Sequence, residues 1–206
     1  EEWRNHALRV TRRHAPPRGA IRAGHPDAPG IRCDAAQHAA RPLVSGETAG
    51  DLSIIDTTSR QIVARLWTGG DAMGLALTAD EKVLYAAGGE EKKVFKVDTA
   101  TRQAVGSIPM PGIIHETTLT LDGQFLYVTL RKANKIVVVR TADDKVVATI
   151  PQPSYPDLVV MEPTGRYAFV TNRYADVVTV IDVNTHRQVK SIPVGKAPHG
   201  MTLRPQ

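Results

Sequence analysis

A single cysteine among 206 residues leaves no disulfide framework and no Cys-x-x-Cys knuckle to hold the chain together. That residue, Cys33, lies near the start, so everything after it is free of thiols and compatible with an oxidising compartment. Aromatic residues are scarce at 5%, and no apolar run approaches the roughly 18 residues needed to cross a bilayer as a helix. Catalytic signatures are missing too. There is no Gly-x-Ser-x-Gly elbow, no His-Glu-x-x-His, no P-loop and no dinucleotide-binding glycine pattern. An enzyme class therefore cannot be read from motifs.

The first 42 residues also lack lysine, yet they carry eight Arg and four of the seven His among many Ala and Pro. With neither a sustained strand nor a helical period, residues 1–42 read as a disordered or non-native lead, and residues 43–206 as the folded part. Eight Arg against Glu1, Glu2, Asp27 and Asp34 give the lead +4 of the chain's +5, which leaves the rest at +1. The basic balance belongs to the lead, so no nucleic-acid partner is expected for the folded part. No initiating Met is present and no charged start followed by an apolar stretch precedes Leu43, so the chain reads as a piece whose targeting segment has been lost.

What the chain has in abundance is repetition. Asp56, Asp98, Arg140 and Asp182 recur at a 42-residue step, as do Leu66, Ile108, Ile150 and Ile192. Each copy holds four short apolar runs broken by turn residues, the size and make-up of one propeller blade. The fold class is therefore all-β: a β-propeller of four-stranded antiparallel blades, about four of them present. Gly123 and Gly165 supply the positive φ that a tight hairpin needs. Runs such as Lys135–Val139 and Val177–Ile181 are apolar on both faces, as strands packed between blades should be. Asp56 and Asp98 read as turn formers, and Asp143 and Asp144 as a solvated hairpin. Two arrangements stay open. Gly200–Leu203 could pair beside Leu43-Val44-Ser45, with Met201 against Val44, and close a four-blade ring; or the chain is an arc of a seven- or eight-bladed propeller.

Tyr127-Val128-Thr129, Phe169-Val170-Thr171-Asn172, Val180-Ile181-Asp182 and Ile192-Pro193-Val194-Gly195 together resemble the YVTN-type β-propeller repeat, over residues 43–206. That resemblance implies a bacterial or archaeal periplasmic or cell-surface setting. It extends more distantly to quinoprotein amine dehydrogenases and to the haem-binding propeller of cytochrome-cd-type nitrite reductases. The matched residues are those that build blades, so fold is implied more strongly than activity.

Positions that the repeat makes equivalent but that differ in chemistry point to a site. One column, at the channel rim just before each inner strand, holds Met73, His115, Asp157 and His199, all types that ligate metals. The segment around His199 resembles the one carrying the axial haem ligand in the nitrite reductase propellers. Arg131, Lys132, Arg173 and Tyr174, from loops on the same face, with Lys196, form a candidate contact for an anionic small molecule or protein, since guanidinium groups grip carboxylate or phosphate bidentately.

Three functions follow as expectations. The leading one is a non-enzymatic binding or scaffold module of the bacterial cell envelope, without a cofactor, its ligand at the channel rim. The others are a haem- or metal-binding redox-associated propeller, and a lactonase or lyase acting at the channel face.

Overall fold

The computed structural model describes residues 8–11, 43–46, 50–56, 58–67 and 72–203. Strand β1 (Leu8–Thr11) comes from the lead, and the rest of residues 1–42 lies outside the described residues, as does Thr57. Strands β2 (Leu43–Gly46), β3 (Asp51–Asp56) and β4 (Gln61–Trp67) form one sheet. Three four-stranded sheets follow. The first has β5 (Ala72–Leu77), β6 (Val83–Gly88), β7 (Lys93–Asp98) and β8 (Gln103–Pro109). The second has β9 (Glu116–Leu119), β10 (Phe125–Leu130), β11 (Lys135–Arg140) and β12 (Lys145–Pro151), with a 3₁₀ turn at Arg131–Ala133. The third has β13 (Pro156–Met161), β14 (Tyr167–Asn172), β15 (Val177–Asp182) and β16 (Arg187–Pro193). Strand β17 (Gly200–Leu203) completes the series. We number the sheets as blades one to four.

Every pairing is antiparallel, and β2, β5, β9, β13 and β17 neighbour one another in that order, so the blades stack radially. The core lies in the seams. Side chains alternate between the two faces of a strand, and β10 shows the consequence: Leu126, Val128 and Leu130 pack on Tyr85, Ala87 and Val94 of blade two. The residue between them, Tyr127, packs on Val159, Ala168 and Val170 of blade four. Ile136 to Val139 are fully buried, as a strand sandwiched between blades requires. Gly123 and Gly165 take positive φ (70° and 76°), the turn conformation expected of them.

Closure differs from expectation. Met201 pairs with Val10, not with Val44, so β17 forms its ladder with β1 from the lead, while among the described residues β2 pairs with β3 alone. The four residues Leu8-Arg9-Val10-Thr11 are too short a run to stand out in an Arg- and Pro-rich segment, yet a strand edge binds any extended backbone of suitable register.

The turns joining the last two strands of each blade obey one rule in two forms. Asp56, Asp98 and Asp182 accept the backbone N–H of Ser59, Thr101 and Thr185 at 2.8, 2.7 and 2.9 Å. In blade three the polarity is reversed: Arg140 donates Nε and a terminal nitrogen to the two oxygens of Asp143, both at 2.9 Å. The residue after each such turn, Arg60, Arg102, Asp144 or His186, has a left-handed backbone. Its side chain reaches back to the preceding blade in three cases. Arg102 donates to the Val63 carbonyl at 3.3 Å, Asp144 accepts from Lys96 Nζ at 2.9 and 3.0 Å, and His186 Nδ1 meets the Tyr127 hydroxyl at 2.9 Å. Asp143 and Asp144 are thus an ion pair within a blade and one between blades, not a merely solvated hairpin.

The His186 latch carries a pH dependence. Burial pushes the His186 imidazole below its ordinary value, Asp182 pulls the other way more weakly, and burial holds the Tyr127 phenol protonated. The neutral ring therefore shares a hydrogen bond with the phenol hydroxyl while resting edge-on against Phe125, 4.6 Å between centroids. A histidine whose folded pKa is lowered contributes stability above the unfolded value of about 6.5 and loses it as pH falls through the folded value. The melting temperature should therefore drop more between pH 7.5 and 5 in the wild type than in His186→Gln; equal drops would mean that the latch does not titrate.

Candidate functional site

The column Met73, His115, Asp157 and His199 is fixed through its backbone carbonyls. Ser45 Oγ donates to the Met73 carbonyl at 2.7 Å, Thr129 Oγ1 to that of Asp157 at 3.3 Å, and Thr171 Oγ1 to that of His199 at 3.0 Å. Thr129 and Thr171 also accept an inner-strand N–H of their own blade, from Glu116 and Leu158, each at 3.0 Å. A single hydroxyl thereby ties the inner strand of one blade to the next. Blade two has Ala87 at this position and no hydroxyl to relay. There the Gly74 N–H bonds the His115 carbonyl directly at 3.0 Å. Such an approach requires glycine: a Cβ at position 74 would lie 2.5 Å from the Thr117 nitrogen.

Around this frame the side chains converge on Asp157, which is fully buried. Arg131 brings Nε and a terminal nitrogen onto Oδ1 of the carboxylate. His115 Nδ1 stands 3.5 Å from Oδ1 and 3.2 Å from the Asp157 carbonyl, and His199 Nε2 stands 3.7 Å from Oδ2. The two imidazoles lie edge to face, 6.4 Å apart. Arg131 and His115 come from blade three, Asp157 from blade four and His199 from the segment that leads into β17, so the cluster exists only because the blades are stacked. A guanidinium on a buried carboxylate leaves the pair close to neutral, and breaking it strands a charge away from water.

Outward from Arg131 the site changes character. The guanidinium lies over the Tyr155 ring, 5.2 Å from its centroid, and Tyr155 stacks on Tyr174 at 4.5 Å with 34° between the planes. The Tyr155 backbone is pinned on both sides: its N–H donates to Asn134 Oδ1 at 2.8 Å, and its carbonyl accepts the Arg173 N–H at 3.0 Å.

This radial frame can be placed among known proteins. The description YNCE-like beta-propeller matches residues 54–204. The chain belongs to the YNCE-like β-propeller family. Among solved structures it is similar to Kuenenia stuttgartiensis hydrazine synthase at 21% identity and a TM-score of 0.70, over 74% of this chain and 45% of that one. The chain thus spans less than half the length of that protein, and at this identity the likeness is one of fold. A search of curated proteins finds no match.

Within this YNCE-like propeller the expected anion contacts separate. Arg131 is engaged with Asp157 and is a structural charge more than a free one. Lys196 donates to Asp176 Oδ2 at 2.7 Å, with the Ala197 N–H on Oδ1 at 2.8 Å; these hold the Asp176 carboxyl below its ordinary range and the Lys196 amine above its own. Arg173 is different. Its Nε–H is shielded from solvent and has no hydrogen-bond partner among the described residues. Lys132, between β10 and β11, and Tyr174, between β14 and β15, are exposed. Tyr155, Thr129, Thr171 and Gly74 are part of the site but were not candidates on sequence grounds. The only hint was the Thr shared by Tyr127-Val128-Thr129 and Phe169-Val170-Thr171, which reads there as part of a blade.

The metal and haem expectations meet a different geometry. Among the described residues no group of three or more His, Cys, Asp or Glu is arranged to hold a metal ion. Met73 takes part through its carbonyl. His199 turns Nε2 toward the Asp157 carboxylate, 3.7 Å from Oδ2, with its side chain 17% exposed.

Proposed function

We propose that this propeller is a non-enzymatic binding module of the bacterial cell envelope whose rim takes an anionic ligand at Arg173. The observation that carries the reading is the half-buried Arg173, whose guanidinium makes no hydrogen bond or ion pair to a described residue. A guanidinium so placed keeps its donors for an anion, which it can grip bidentately. Exposed Lys132, on the equivalent turn of the preceding blade, adds a second cation to the candidate set, while Arg131 is engaged with Asp157. The thiol-free repeats suit an oxidising compartment.

Isothermal titration with citrate and with inorganic phosphate tests the reading. A charge-assisted hydrogen bond is worth about 1.5–3 kcal/mol, so Arg173→Ala should weaken binding by roughly one to two orders of magnitude. Unchanged affinity, or no binding of any anion to the wild type, would remove it.

A further inference from the structure

Two neighbouring seams share one backbone frame but are filled with opposite chemistry. The residue that follows the outer strand folds back onto its own blade in each case: the N–H groups of Met110, Gln152 and Val194 donate to the carbonyls of Lys92, Asn134 and Asp176 at 2.7, 2.8 and 2.9 Å. Between blades two and three, Met110 lies in an apolar cluster with Leu130, the last residue of β10, and Val137 of β11. One repeat later the same three positions hold Gln152, Asn172 and Thr179, all buried. Gln152 Oε1 accepts from Thr179 Oγ1 at 2.6 Å and from Asn172 Nδ2 at 3.3 Å, and Asn172 Nδ2 also donates to Thr179 Oγ1 at 3.1 Å. The Met110 seam shows that this frame closes without polar groups, so filling space does not explain the polar set.

From this contrast we infer that the triad selects which blades pack together: blade four accepts blade three and rejects the others. Packed on Met110 of blade two, or on Val194 of another copy's blade four, Asn172 and Thr179 would be buried against a side chain with no amide oxygen to receive their hydrogens. Another copy's blade three, packed on Gln152, would bury that amide against Leu130 and Val137. Leaving polar groups unpaired in the wrong pairing is a general route to specificity. A chain of similar modules needs it, because repeat proteins characteristically fail by misassembly of interchangeable units.

Urea unfolding and refolding of the full chain test the inference. Gln152→Met, which sets the blade-two side chain against the polar pair, should lower the folding equilibrium constant by at least about tenfold, and Met110→Gln should do the same at the apolar seam. Combining Gln152→Met with Asn172→Leu and Thr179→Val makes the two seams alike and should return the constant to within about fivefold of the wild type. Blade four can then also dock on blade two, so after dilution from urea a smaller fraction of this triple variant should regain the wild-type elution volume and circular dichroism spectrum. A triple variant that fails to fold, or loses at least as much as Gln152→Met alone, overturns the inference, since the three residues are then not a matched set. A triple variant that regains stability and refolds as completely as the wild type also overturns it, since the triad then selects nothing.

Discussion

Arg131→Ala should destabilise the protein by about 3–5 kcal/mol, the usual cost of removing one partner from a buried ion pair. For a chain of this size that corresponds to a fall in melting temperature of roughly 6–20 °C. The reason is not the attraction itself, which desolvation largely offsets, but the fully buried Asp157 carboxylate left behind. Thermal melts of wild type and variant at pH 8 check the size of the loss. A variant melting within about 2 °C of the wild type would contradict it.

Gly74→Ala should cost about 2–4 kcal/mol, combining overpacking of a tight seam with loss of one backbone hydrogen bond. The added methyl would meet the Thr117 nitrogen at 2.5 Å, Glu116 Oε1 at 2.6 Å and Glu116 Cα at 2.7 Å, and two of these atoms are backbone. The seams on either side of blade four are bridged by Thr129 and Thr171, whose hydroxyls act as spacers. Blade two has Ala87 there, so its inner strand approaches His115 directly. Adding Ala87→Ser to Gly74→Ala should recover part of the loss by supplying the missing relay, as measured by urea denaturation. Additive or greater loss in the double variant would mean that the hydroxyls are incidental.

Much of the fold was legible because a 42-residue step in apolar runs and turn residues leaves few ways to bury both faces of a strand. The column from Met73 to His199 was legible for the same reason, since equal spacing places its members at equal positions on successive blades. What those residues touch was not. Arg131 and Asp157 are 26 residues apart, on adjacent blades, and only the seam geometry shows that the arginine is already occupied. The reversed pair Arg140 and Asp143 kept the turn while removing the Asp that marked it elsewhere. The partner of β17 was the least legible, because four residues at an exposed edge carry almost no pattern.

The convergence of separate blades on one buried carboxylate is tested most directly by a double-mutant cycle on Arg131→Met and Asp157→Asn, with unfolding free energies from urea titration. A coupling energy of at least about 1.5 kcal/mol is the expected result. Effects that add to within about 0.5 kcal/mol, as for residues that do not meet, would contradict the shared cluster and the rim built on it.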